Sequence, residues 1–430
     1  MSGTFSKERL YRLLFAVSVL GLSSCAPQAD EEIGITQQPI VDVAHTAVER
    51  QSIGNCWIYS HATWIESMYL SSTGTEIDLS QTYWTYWHWF EQITGSLSRR
   101  EGGVEVATGG TWSTANALVR RYGVLEEAYF VPEDVLSEMS TRQSSALSRI
   151  NRSLSTGLLS TAAARSDRAL VRAELDEAFR LDADVSGMLD DVFGPDVTRT
   201  FDSRGASLAL AADSNIVPAA AFPVSYIRRQ ASWSGAESFG PVNTSLATAM
   251  SSWRTAYYSR GSRSVLQRVQ RALHQRQPVI LTWDVDFAAQ ENYRSGYRGS
   301  FNLQTLLNAG RPGTQGGHMV VLEDYEAVTT EFGLLPAGVT LDPNLPEDQA
   351  KLTAALRPDT VIKFLRIKNS WGAFRFDRAS APGFPGYHDL YMDYLDGPIA
   401  WCPDADRSTP NFECTGQTTP LRYVILPPGF

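Results

Sequence analysis

The segment Gln51-Ser52-Ile53-Gly54-Asn55-Cys56-Trp57-Ile58-Tyr59-Ser60 places a cysteine where a turn runs straight into a strongly apolar helix. Trp57, Ile58, Ala62, Ile65 and Met68 or Tyr69 recur at helical spacing, which predicts a buried, rigid helix with Cys56 in its first turn. A helix start leaves backbone N–H groups unpaired and carries the positive end of the macrodipole, and both favour thiolate over thiol. Gly54 lets the backbone approach closely at that point. The pattern therefore predicts an activated thiol, with a buried structural cysteine, the common fate of a free Cys, as the alternative.

A nucleophilic cysteine needs a base to take its proton and a third group to orient that base. Of six histidines, His318 stands out: it follows Gly316-Gly317 and leads into Met319-Val320-Val321-Leu322, a strand pattern that would present the imidazole at a strand end. Downstream, Val361 to Lys368 alternates as a strand and delivers Asn369-Ser370-Trp371-Gly372 to its end. An Asn amide can fix an imidazole tautomer, and an adjacent Trp can shield that bond from water. His61 lies on the cysteine's own helix and is expected to pack or hydrogen-bond locally, while His45, His88, His274 and His388 have no partner motif. The aromatic run Tyr83, Trp84, Tyr86, Trp87, Trp89 and Phe90 reads as helix packing in preference to a ligand platform.

These blocks resemble the papain-like cysteine peptidase family. The resemblance rests on Gln51, Gly54, Cys56 and Trp57, then Leu79-Ser80-Gln81, Gly109-Gly110 ahead of Ala115 to Gly123, His318, and Lys368-Asn369-Ser370-Trp371-Gly372, in that order. It implies an α+β, papain-like two-lobed fold: an N-terminal helical lobe with the nucleophile helix and an antiparallel β lobe with the histidine and asparagine. It also implies Cys56 as nucleophile, His318 as general base and acid, and Asn369 as orienter. Gln51 and the Cys56 backbone N–H would form the oxyanion hole, and Gly109, Gly110 and Trp371 would contact substrate. Two departures stand out: Gln51 lies five residues before Cys56 where the family has six, leaving Arg50 in the usual place, and Ile53 replaces a half-cystine.

The stretch from Cys56 to His318 far exceeds the roughly 130 to 150 residues typical of papain and its close relatives. A large, mainly helical insertion is therefore expected at about 131–276, resembling the bleomycin-hydrolase-like branch, and it would either cap the cleft or serve as an interaction surface. A capped cleft would favour peptide ends or short peptides over folded proteins. A second insertion, between His318 and Asn369, reads as a long loop or hairpin near the cleft.

At the N-terminus, Lys7, Arg9 and Arg12 precede an apolar run that closes on Leu22-Ser23-Ser24-Cys25. The run is too short to span a membrane comfortably, and its ending resembles a bacterial lipoprotein signal with Cys25 as the lipidated residue; a cleaved signal peptide is the alternative. Residues 1–25 are thus the signal, 26–45 a tether and 46–430 the catalytic domain, exported and lipid-anchored to the bacterial cell envelope, with the outer membrane as the expected destination. Cys402 and Cys414 are expected to pair, since an exported compartment permits it. No cofactor or metal is implied, because two lone cysteines do not make a zinc site. A net charge of −10 and the lack of any basic run or phosphate loop argue against nucleic acid. The expected function is hydrolysis of peptide or protein substrates by a Cys-His-Asn thiolate mechanism. A catalytically weak papain-fold binding protein and a thiol acyltransferase are the alternatives. Too few residues separate Cys25 from Val48 for a helical prosegment, which leaves the insertion or a proteinaceous inhibitor to restrain activity.

Overall fold

The computed structural model describes residues 46–95, 105–203, 215–233, 237–402, 414 and 416–430. The expected signal, Cys25 and the 26–45 tether lie outside these residues. The chain builds a helical lobe first: α1 (Cys56–Thr73), α2 (Gln81–Thr94), α3 (Trp112–Tyr122), α4 (Gln143–Thr156), α5 (Ala162–Ser166), α6 (Arg168–Phe179) and α7 (Ala183–Phe193). Ser80 caps α2 by accepting from the Tyr83 N–H, and Gly95 ends it in the left-handed conformation. Every residue from Gln81 to Glu91 is buried, so α2 has no solvent face. A helix buried on all sides needs partners on all sides. Trp87 stacks on Tyr122 of α3 at 4.0 Å and meets Phe193 of α7 edge-on at 5.0 Å, while Tyr86 and Trp89 both reach Phe179 of α6. The aromatic run is core, as its spacing implied.

This changes the account of the insertion. Its first half, α4 to α7, completes the hydrophobic core of the helical lobe. Its second half is not mainly helical. It forms an antiparallel hairpin of β1 (Pro223–Ala231) and β2 (Glu237–Ser245), then α8 (Leu246–Ser252) and β3 (Arg254–Tyr257). Val224 and Tyr226 of β1 join the core that α1 occupies, and Trp253 sits edge-on to Trp64 of α1 at 5.1 Å. This part of the segment, expected either to cap the cleft or to serve as an interaction surface, thus packs into the core around α1.

The β lobe contains α9 (Arg263–His274), β4 (Val279–Asp286), β5 (Ser300–Phe301), α10 (Leu303–Ala309), β6 (Gln315–Thr329), β7 (Gly333–Leu335), α11 (Pro346–Ala355) and β8 (Val361–Lys368). It ends with β9 (Tyr387–Tyr391), α12 (Met392–Leu395), β10 (Ile399–Trp401), β11 (Gly416–Thr418) and β12 (Leu421–Leu426). The main sheet runs β3-β12-β4-β6-β8-β9-β5, with β7 on the far part of β6, and is antiparallel except for β5 with β9. Alternation divides its residues: Ile280, Met319, Val321 and Ile425 face the helical-lobe core, whereas Val279, Leu281, Val320, Leu322 and Leu426 face a second core with α9. Cys402 and Cys414 are disulfide-bonded beside the β10–β11 hairpin.

The second insertion does not lie near His318. β7 pairs with Ala327 to Thr329, roughly 30 Å along β6 from His318 at strand rise. α11 then packs on α9, where Gln270 Nε2 donates to the Ala355 carbonyl at 3.0 Å.

Candidate active site

Cys56 is the first residue of α1, as its place after a turn required. Asn55 ties that turn inward: its Nδ2 donates to Thr85 Oγ1 at 3.0 Å and to Gln143 Oε1 at 2.9 Å. The loop of Thr108, Gly109 and Gly110 lies over the turn, with Trp57 Nε1 donating to the Thr108 carbonyl at 2.9 Å. A Cβ on Gly110 would stand 2.3 Å from Trp57 Cε2, so only glycine fits there. Gly109 faces open space, a bare backbone beside the turn.

Across from this turn, the start of β6 and the end of β8 bring His318 and Asn369 together: His318 Nε2 lies 2.7 Å from Asn369 Oδ1. The amide orientation follows from its other partners. Asn369 Oδ1 also accepts the Ser370 backbone N–H at 2.8 Å, and Asn369 Nδ2 lies 3.3 Å from His388 Nδ1. With Oδ1 fixed as an acceptor, Nε2 of His318 carries the proton and Nδ1 holds the lone pair. Trp371 stacks on the His318 ring at 4.8 Å and is itself buried, shielding the pair from water.

Burial dominates the electrostatics. It pushes the Cys56 thiol up to about 11, against the pull of the backbone N–H groups of Met319, Trp57 and Cys56 itself. It pulls His318 down to about 4, opposed by the hydrogen bond to Asn369 and reinforced by the Arg378 charge. Burial thus favours the neutral forms, thiol and imidazole, over the ion pair. The helix start was expected to yield a standing thiolate, but desolvation outweighs the few N–H groups that favour it. Met319 follows His318, so its N–H also places the sulfur at the start of β6; among the described residues no hydrogen bond joins Cys56 Sγ to the His318 ring.

The Peptidase C1-like family model matches residues 26–194, the stretch that holds Cys56 and ends before His318 and Asn369. This N-terminal part of the chain, which carries Cys56, is thus similar to the papain-like cysteine peptidases. The match continues past Phe130 through α7, so the helices expected as an insertion lie within the stretch this family model covers. Among solved structures, PepW from Lactobacillus rhamnosis HN001 (DR20) aligns over 92% of this chain and 82% of its own, at 13% identity and a TM-score of 0.44. A clostridial cysteine protease, Cwp84 after propeptide cleavage, aligns over 90% of this chain at 10% identity and a TM-score of 0.31, and the alignment spans 56% of that protein. No curated protein matches the chain.

Gln51, one residue out of the usual papain-like spacing, is clamped between the two lobes. Its Nε2 donates to the Ile53 carbonyl at 2.8 Å, its Oε1 accepts from Ser370 Oγ at 2.6 Å, and its backbone N–H donates to the Ser370 carbonyl at 2.9 Å. One amide N–H is thus spent on the turn; Nε2 carries a second. Two residues near the histidine were not anticipated. His388 touches Asn369, and the Arg378 guanidinium sits 4.7 Å from the Trp371 ring and 4.1 Å from the Phe287 ring. His388 had a findable signal, since β9 pairs with β8 and sets His388 opposite Ile367. Arg378 lies in the irregular segment after Trp371, where no periodicity points to a neighbour. His61 makes ring contacts alone, with both nitrogens unpartnered against Trp64 and Trp112.

Proposed function

We propose that this chain is a cysteine peptidase that hydrolyses peptide bonds by acyl transfer through Cys56, on peptide or protein substrates at the cell envelope. The observation that carries the reading is the His318–Asn369 hydrogen bond of 2.7 Å beneath Trp371, beside a helix that starts on Cys56. His318 Nδ1 takes the Cys56 proton as the sulfur attacks the carbonyl carbon, so that no free thiolate need accumulate. The carbonyl oxygen becomes an oxyanion held by the Cys56 N–H and the second N–H of Gln51 Nε2. The imidazolium returns its proton to the leaving nitrogen, the C–N bond breaks, and a thioester remains. Water then gives a proton to His318 and adds to the thioester, releasing the carboxylic acid and restoring the thiol. Asn369 keeps Nε2 protonated throughout, which leaves Nδ1 as the base.

The test is turnover of a peptide library by purified protein beginning at Ala26, beside Cys56→Ala and His318→Ala. Both variants are expected to lose turnover, and hydrolysis by Cys56→Ala refutes the assignment. A binding protein of weak activity is favoured by the high-lying thiol and by the Gln51 amide already engaged with Ile53; it would hold peptides without cleaving them.

We further propose lipid anchoring through Cys25 in the outer membrane, supported by Leu22-Ser23-Ser24-Cys25. Cys25→Ala is expected to release the protein from membranes, and retention would refute the anchor. The insertion's place in the core removes the basis for expecting it to restrict substrate size. A proteinaceous inhibitor is the partner that would restrain such an enzyme.

A further inference from the structure

His388 is buried beside the Asn369 amide, and its role is not explained by packing alone. It is a buried polar side chain in β9 whose Nε2 has no hydrogen-bond partner of good geometry, so its placement there calls for a polar contact elsewhere on the ring. What the imidazole provides is an acceptor: Nδ1 lies 3.3 Å from Asn369 Nδ2. The Trp371 ring stacks on His318 and meets His388 edge-on at 5.2 Å, so the three side chains form one packed group around Asn369.

We propose that His388 is a positioning residue, holding the Asn369 amide so that Oδ1 faces His318 Nε2; this rests on the peptidase reading above. A planar amide has two ends, and each needs a partner of the right kind. The Ser370 N–H and His318 Nε2–H address the oxygen, and His388 Nδ1 addresses the nitrogen. Without His388 the Nδ2 end is a buried donor lacking an acceptor, and the amide can rotate off the His318 axis to find one. His388 stays neutral, because burial first, then the neighbouring His318 and Arg378, pull it down to about 3 against backbone hydrogen bonds at Ala379 and Gly386, and the Asn369 Nδ2 donor facing it selects the tautomer whose Nδ1 is unprotonated.

The experiment measures kcat and KM for one cleaved peptide in His388→Leu, His388→Gln and His388→Asn, each alone and with Asn369→Ala. Leucine removes the acceptor, glutamine carries its amide past the Nδ1 position, and asparagine places an oxygen where Nδ1 was. The loss of one neutral hydrogen bond predicts a kcat lower by roughly three- to tenfold in His388→Leu and His388→Gln, with KM unchanged. His388→Asn restores kcat, and in the Asn369→Ala background all three substitutions change kcat by less than about twofold. Equal losses in both backgrounds, a His388→Leu enzyme with normal kcat, or an asparagine variant as slow as leucine each overturn the proposal. Melting temperatures separate a slow folded enzyme from an unfolded one, and glutamine tests the same point should leucine not be accommodated. Wild-type turnover indifferent to His318→Ala removes the peptidase reading and this inference together; normal His318 dependence with an indifferent His388 removes the inference alone.

Discussion

Replacing His318 by alanine changes how the Cys56 proton leaves, and the structure sets the size of the effect. In the wild type the thiol loses its proton near 11 and the imidazole gains one near 4, both chiefly because they are buried. Between those limits the pair holds one proton, whichever atom carries it. Below about 4 the base is filled, and above about 11 no proton is left for the leaving group. Alkylation of Cys56 by a small electrophile such as iodoacetamide should thus be nearly independent of pH across roughly 5 to 9, with His318 accepting the proton in situ. In His318→Ala the proton must go to solvent. A thiol titrating near 11 is thiolate in only about one molecule in ten thousand at pH 7, and that fraction rises about tenfold per pH unit. The rate of the variant is therefore expected to climb with unit slope on a logarithmic scale, where the wild type is flat.

The measurement is clean if made by mass spectrometry on protein beginning at Ala26. Cys56 is the free thiol among the described residues, Cys402 and Cys414 are bonded to each other, and Cys25 is absent from that protein. A flat profile in His318→Ala, or a unit slope already present in the wild type, would show that the histidine does not take the proton and would refute the reasoning.

Other perturbations follow from the same structure. Gly110→Ala drives a Cβ to 2.3 Å from the buried Trp57 ring; expect about 1–3 kcal/mol of destabilisation in urea unfolding and a raised KM as the loop shifts. Lys368→Met leaves the buried Glu66 and the half-buried Glu49 without the nearby cation that favours their charged forms, at about 3–5 kcal/mol when Glu66 is ionised. Because burial raises Glu66 to about 7 despite that cation, the penalty should be large at pH 8 and shrink at pH 6, where the carboxyls protonate; equal penalties would contradict the pairing. His61 is pulled by burial to about 3, below its unfolded value near 6.5, so the stability it contributes is present above 6.5 and lost as pH falls toward 3. His61→Phe should therefore raise the melting temperature more at pH 5 than at pH 7. Arg378→Met removes a charge that lowers His318, and the acid limb of kcat/KM should move to higher pH.

How much of this was visible in the chain depends on whether a residue's role is local or shared. Cys56, His318 and Asn369 each stand at the end of an element whose pattern is complete in itself: an apolar helix, a glycine-led strand and an alternating strand. Their order therefore led to the family, and the β8 boundaries match the alternation residue for residue. What the insertion packs against was not legible, because its pattern is that of an ordinary amphipathic helix, and such a helix can bury its face against anything. The discriminating signal was in α2: six aromatic residues from Tyr83 to Phe90 spread around most of the helix, and a helix of that kind must be enclosed by segments from elsewhere in the chain. The cost that opposes a thiolate at Cys56 was hidden for a different reason. A helix start contributes a few oriented N–H groups, which sequence position reveals, whereas the opposing cost depends on how completely the sheet covers the sulfur, which only the folded lobes determine. The same logic explains His388: its partner stands at the end of the neighbouring strand, and register, not sequence proximity, makes the contact. Motif order thus located the atoms that would react, while the proton's resting place and the groups that aim the imidazole are properties of the assembled lobes.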